Sequence, residues 1–212
     1  MAAGPGAGMD SSQAGGAGSK SGTPSPDGTG AMMTALEDLA QVSLPAGPAT
    51  AGRWGELAWS ASGVGLSGDP GLSIEPAATF GTGNAPIVAW ADARNGNFEI
   101  YVARWNGTAW EELNGSASGG GISNTAGSSR NPAIAADAAG NPIVAWSEDL
   151  GGNTEIYVRR WNGANWVAYG TSASGGGISA NAGSSVTPAL AVRGDGTPVV
   201  AWADNSVGTW QI

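Results

Sequence analysis

Residues 86–105 read PIVAWADARNGNFEIYVARW, and residues 142–161 read PIVAWSEDLGGNTEIYVRRW. A third copy opens at 198 as PVVAWADNSVGTWQI. Pro86, Pro142 and Pro198 set a period of 56 residues. Pro76, Pro132 and Pro188 hold the same phase, and Ser116–Ser123 (SASGGGIS) returns as Ser172–Ser179. A weaker copy of that loop stands earlier, at Ser60–Ser67. A fixed period of this length marks a repeat architecture, in which each unit buries its apolar faces against its neighbours.

Each period holds four strand-like segments. In the central unit they are Pro132–Asp137, Pro142–Ser147, Glu155–Trp161 and Asn165–Tyr169. Val, Ile, Tyr and Trp fill them, and these residues suit a pleated surface. Asn162-Gly163 is a strong hairpin turn. Glycines and prolines interrupt every helical pattern in the repeats. Side chains alternate across a strand, so Ile143 and Ala145 face one way while Val144 and Trp146 face the other. Both faces are therefore apolar, whereas a sheet with one wet face alternates apolar and polar. The expected class is all-β. The expected fold is a β-propeller arc of about three four-stranded antiparallel blades. A β-sandwich leaves the strict period unexplained, and a β-solenoid needs a shorter one.

Composition removes several chemistries. The chain has 212 residues, no Cys and no His. Disulfides, cysteine-ligated zinc, His-held haem and a Ser-His-Asp triad are thereby excluded. Lys and Arg number 8 against 17 Asp and Glu, a net charge of −9, which argues against nucleic-acid partners. No window approaches the ~20 apolar residues of a membrane helix, and no signal-peptide pattern is visible. Residues 1–52 are rich in Gly, Ala, Ser and Pro and are expected to be a disordered arm. Met32, Leu36 and Leu39 have the spacing of a short helix over 31–42 within it. The repeats occupy 53–212 and stop inside a strand.

The run Trp-x-Asp-x-Arg-x-Gly-Asn-x-Glu-Ile-Tyr at Trp90–Tyr101 resembles bacterial sialidase-like propeller repeats of the BNR group. The turns Trp105–Trp110, Trp161–Trp166 and Trp54–Trp59 look like degenerate Asp-boxes, with the box Ser and Asp missing. The resemblance implies a propeller and an extracellular or cell-surface site of action, with glycans among its ligands. Sialidase chemistry would need an arginine cluster and a Tyr/Glu pair. Here Tyr101 and Tyr157 repeat in phase, so no catalytic residue is assigned.

A fourth strand is expected around Leu57–Trp59, completing a blade that begins elsewhere. Two routes then lead to a closed ring. A homodimer would close a ring of about six blades. Otherwise the chain is part of a longer propeller.

The loops between second and third strands share a face with the long inter-blade loops Ser116–Arg130 and Ser172–Val186. Polar residues on this face are the candidate ligand contacts: Asp92, Arg94, Asn97, Asn124, Glu148, Asp149, Asn153, Asn181 and Asp204. Recurrence of Asp92, Glu148 and Asp204 in phase also suits a structural Asx-turn role. Trp54, Trp59, Trp90, Trp105, Trp110, Trp146, Trp161, Trp166 and Trp202 are expected to be structural. No cofactor is expected. Asp and Asn suit Ca²⁺, but Asp92–Asn95–Asn97–Glu99 lacks the full EF-type spacing. The functional expectation is a non-catalytic binding or scaffolding module for a glycan or protein surface. The alternatives are a truncated sialidase-like glycoside hydrolase and a structural repeat without a ligand.

Overall fold

The computed structural model describes residues 55–68 and 71–212. The arm over 1–52, the helix over 31–42 and Trp54 lie outside the described residues.

Among the described residues ten strands form three antiparallel sheets. The first sheet is β1 (Ser73–Phe80), β2 (Pro86–Asp92), β3 (Glu99–Trp105) and β4 (Trp110–Glu112), in that order. The second repeats it with β5 (Ser128–Ala136), β6 (Pro142–Asp149), β7 (Thr154–Trp161) and β8 (Trp166–Ala168). The third pairs β9 (Ser185–Val192) with β10 (Pro198–Asp204), and Gln211 bridges Asp204.

The first strand of each sheet starts well before the proline that the sequence suggested as its beginning. A bulge explains this. Register shifts fall between Ile74 and Ala77 and between Arg130 and Ala133, with a matching shift opposite Ala201–Ala203. At the bulges Glu75, Asn131 and Thr187 have φ of 56°, 53° and 49°. Pro76, Pro132 and Pro188 follow directly, where the ladder is already broken and no N–H is required. The bulges also link sheets. Glu75 accepts Arg130 Nη2 and the Asn131 amide, both at 2.6 Å.

Both faces of the second sheet are buried, as the apolar alternation demands. Ile87, Ala89, Ala91, Ile100 and Val102 of the first sheet pack with Val144, Trp146 and Tyr157 of the second. Ile143, Ala145 and Val158, on the second sheet's other face, pack on Leu190, Val192 and Val200 of the third. The hairpin tryptophans clasp their turns: Trp105–Trp110 at 5.7 Å and Trp161–Trp166 at 5.9 Å between ring centres. Asn106 and Asn162 cap these turns by accepting backbone amides.

The strand expected at Leu57–Trp59 is absent; residues 57–67 are turns and bends. The reason is phase. Trp110 Nε1 donates to the Leu57 carbonyl at 3.0 Å, and Trp166 Nε1 donates to the Leu113 carbonyl at 3.0 Å. Leu57 therefore occupies the Leu113 position, beyond the fourth strand. Trp59 is 81% exposed and takes no part in a clasp.

The long inter-sheet loops complete the sheets. β4 and β8 are three residues each and cover only part of the neighbouring strand. The loop covers the remainder: Val102 N donates to Ser116 O and Ile122 N to Ile100 O. Val158 with Ser172 and Ile178 with Ile156 repeat this. The approach is so close that a Cβ on Gly121 would lie 2.1 Å from the Ile100 carbonyl oxygen. At Gly115, also at positive φ, a Cβ would meet nothing within 4 Å. Gly121→Ala is therefore expected to cost about 3 kcal/mol, combining strain and clash, and Gly115→Ala about 1 kcal/mol from strain alone. Urea unfolding of the two variants measures the difference; equal costs would disprove the close packing of this loop.

Candidate functional site

Two carboxylates recur in each complete sheet, on paired positions at one end of the second and third strands. They are Asp92 opposite Glu99, and Glu148 opposite Glu155. The sequence makes them acids; the fold buries them, which obliges neighbours to donate hydrogen bonds.

The second-strand acid is served from the first strand. Ser73, Ser129 and Ser185 donate to Asp92, Glu148 and Asp204 at 2.6, 2.7 and 2.8 Å. Trp90 and Trp146 add their indole N–H groups. The third-strand acid is served by the loop. Asn97 and the Thr125 amide donate to Glu99, as do Asn153 and the Asn181 amide to Glu155. Ser123 and Ser179 donate to the same two carboxylates. The loop then reaches the next sheet. Thr125 Oγ1 donates to Glu148 at 2.6 Å, and Asn181 Nδ2 donates to Asp204.

Most candidate ligand contacts thus hold internal partners. Asp92, Asn97, Glu148, Asn153, Asn181 and Asp204 are all members of these networks. Asn124 sits at φ 46° and its amide closes a turn onto Gly120 O. Asp149 is exposed and accepts the Gly151 amide at 2.8 Å. Among the described residues no group of three or more His, Cys, Asp or Glu is placed to hold a metal.

Arg94 is the exception in kind. Its guanidinium lies 4.2 Å from the centre of the Tyr101 ring. Nε and Nη2 reach Asp92 at 3.1 and 2.8 Å, Nη1 reaches the Ala117 carbonyl at 3.2 Å, and Nη2 reaches the Ser67 carbonyl at 3.1 Å. The second sheet has Leu150 in that position, and its side of the repeat is open. A cleft of about 320 Å³ lies there, lined by Glu148, Leu150, Gly151, Gly152, Asn153, Glu155, Tyr157, Gly175 and Gly176. A second, mainly apolar hollow on the first sheet is lined by Leu66, Ile74, Pro76, Val88 and Trp90 among others. Sequence reasoning named Arg94 but missed Leu150 and Tyr157. The signal was present: positions 92, 148 and 204 stay acidic while 94, 150 and 206 change from Arg to Leu to Ser.

The two sheets differ electrostatically. Burial opposes ionisation of Asp92, but Arg94, Ser73 and Trp90 outweigh it and hold the carboxyl at about 2. Burial raises Glu99 against its donors, and the charge of Glu148 adds to the rise. Tyr157 is raised by burial and then by Glu148 and Glu155.

Asp92 lies below its ordinary value of 3.8, so its contribution to stability is present above that pH and lost as pH falls through about 2. Arg94→Gln is expected to destabilise the chain by about 3 kcal/mol at neutral pH, as breaking a buried ion pair does. Denaturant titrations should find that gap narrowing as pH drops from 3.8 towards 2. A gap independent of pH would disconnect Arg94 from Asp92.

No protein-family model and no curated protein matches the chain. Two solved structures resemble it at low identity. One is a thermostable family-43 glycoside hydrolase, at 14% identity and TM-score 0.38, with 62% of this chain and 48% of that one covered. The chain thus spans about half the length of the hydrolase. The other is a fucose lectin from Kordia zhangzhouensis in complex with methyl-fucoside, at 10% identity and TM-score 0.37, with 64% and 95% covered.

Proposed function

We propose that the chain is a non-catalytic binding module of β-propeller type. Its ligand is a glycan or a protein surface, taken on the side where the β6–β7 turn meets the loop that follows β8. The supporting observation is the cleft in the second sheet, where the repeat departs from its own symmetry. Symmetric positions serve the fold, and a specific site is where they diverge. The sialidase-like resemblance supports a site of action outside the cell or on its surface.

A glycosidase needs two carboxylates across the substrate. Glu148 and Glu155 both line the cleft, but they are cross-strand neighbours, each held by several internal donors. Asp92 and Glu99 hold the same pair of positions in the first sheet. This supports a structural role for both pairs.

The test uses Gly152, whose Cβ would meet nothing within 4 Å. Gly152→Trp should fold normally and fill the cleft. A glycan array and a protein-binding screen on the full chain should find a saturable ligand that the variant binds at least tenfold more weakly. Aryl glycosides should not be turned over. Hydrolysis abolished by Glu148→Gln would overturn the non-catalytic reading, and ligand binding unmoved by Gly152→Trp would overturn the site.

The propeller reading also concerns association. Val199 and Trp210 are 51% and 56% exposed on the third sheet and the segment after it. A second copy covering this apolar surface would give a ring of about six sheets. Light scattering of the full chain should then return a dimer; a monomer across the micromolar range would count against that closure.

A further inference from the structure

The first sheet contains a worked example of what the cleft in the second would hold. Around Arg94 the protein assembles a carboxylate (Asp92), a tyrosine face (Tyr101) and two backbone carbonyls (Ala117 and Ser67). One period later these positions are Glu148, Tyr157, Ala173 and Ser123. The acid and the tyrosine are repeated and line the cleft, while the group they receive is not: Leu150 stands where Arg94 stood and is 55% exposed.

The parts are also arranged alike. Trp90 packs on Tyr101 and Trp146 on Tyr157, each pair at 6.0 Å between ring centres. Tyr101 OH donates to Gly119 O, and Tyr157 OH donates to Gly175 O. Both tyrosine hydroxyls are anchored to a loop carbonyl, but Asn95 Nδ2 also donates to the Tyr101 hydroxyl, and its counterpart Gly151 has no side chain to do so. The turns carrying residues 94 and 150 have equal lengths between their acids. The two turns differ at four successive positions, Asp92, Ala93, Arg94 and Asn95 against Glu148, Asp149, Leu150 and Gly151.

Charge points the same way. Asp92 has its guanidinium at 2.8 Å. Glu148 is 1% exposed and shares the Ser129 hydroxyl with Glu99, while Glu155 stands opposite it across the strands. Arg159 acts on Glu148 electrostatically, and its Nη1 donates to the Ile122 carbonyl at 2.7 Å. A cation entering the cleft would meet Tyr157, Glu148 and Glu155 in its lining, the groups that cation–π and charge-assisted contacts require.

We propose that the cleft of the second sheet is a receptor for a guanidinium group supplied by another molecule. That group would take the place that Arg94 fills in the first sheet, stacked on Tyr157 and facing Glu148. A planar fork fits this lining better than an ammonium, because the site in the first sheet engages three of the guanidinium nitrogens at once. The inference rests on the cleft being the ligand site of the binding module.

The experiment is an NMR titration of the full chain with N-acetyl-arginine amide, its neutral isostere N-acetyl-citrulline amide, and N-acetyl-lysine amide. Arginine amide should bind at least tenfold more tightly than citrulline amide and more tightly than lysine amide, shifting Tyr157 resonances. Leu150→Arg supplies the missing group in cis. It should raise the melting temperature and weaken arginine-amide binding at least tenfold. A pentapeptide with a central arginine separates the sources: tighter binding than the amide points to a polypeptide side chain, and equal binding to a small guanidine. Equal shifts from arginine and citrulline amides, or arginine binding that survives both Leu150→Arg and Gly152→Trp, would overturn the proposal. If arginine amide fails but Gly152→Trp still abolishes capture of a glycan or protein, this inference alone falls. If Gly152→Trp also has no effect, the binding-site reading falls with it.

Discussion

A buried carboxylate must be given hydrogen bonds, and in this protein that requirement ties each repeat to the next. Glu148 is closed from water and accepts from Trp146 of its own strand, Ser129 of the neighbouring strand and Thr125 of the preceding loop. Those donors belong to three different stretches of chain. None can move without leaving a buried charge short of partners, which costs far more than an exposed contact. The same logic explains the Gly/Ser-rich loops. They must lie flat against β3 and β7 to deliver Ser123 and Ser179, and only glycine tolerates that approach at 121 and 177.

Apolar packing supplies the complementary constraint. The first two sheets each present Ile, Ala and Val on one side, and the second presents Val144, Trp146 and Tyr157 to the first, so these neighbours interleave large with small. The bulges at Glu75, Asn131 and Thr187 tilt the first strands and, at the junction of the first two sheets, add an ion pair between Arg130 and Glu75. This pair is partly exposed, and its contribution is correspondingly small. The buried acids and the sheet faces dominate.

Much of this architecture is legible in the residues themselves. The period, the four strands of each complete repeat, the Asn-Gly turns and the two buried faces follow from β-branched and aromatic runs punctuated by turn residues. The bulge was not legible as such, because a proline in phase reads as a strand start until the ladder around it is known. The inter-sheet loops misled for a related reason. Gly, Ser and Asn suit a ligand loop and a loop that hydrogen-bonds a strand edge equally well, and only the pairing of Ser116 with Val102 distinguishes them. Leu57 reads as strand because Trp54–Trp59 looks like the hairpin Trp105–Trp110; its carbonyl, held by Trp110, assigns it to the following loop.

The candidate site was legible only in part, and the reason lies in what repetition means. Acids that recur at 92, 148 and 204 attract notice because they are polar and in phase, yet phase is the signature of a shared structural demand. Information about a ligand sits where the demand is met differently. At Arg94 the first sheet answers its own buried carboxylate with an internal guanidinium. At Leu150 the second sheet keeps the carboxylate, its serine donor, the tyrosine and the loop, and Thr125 donates to Glu148 in addition. Replacing Arg94 and Asn95 by Leu150 and Gly151 therefore leaves a cleft beside the second sheet's acid without altering the strands around it. In a repeat protein this is an economical origin for a site, since every wall is already maintained by folding.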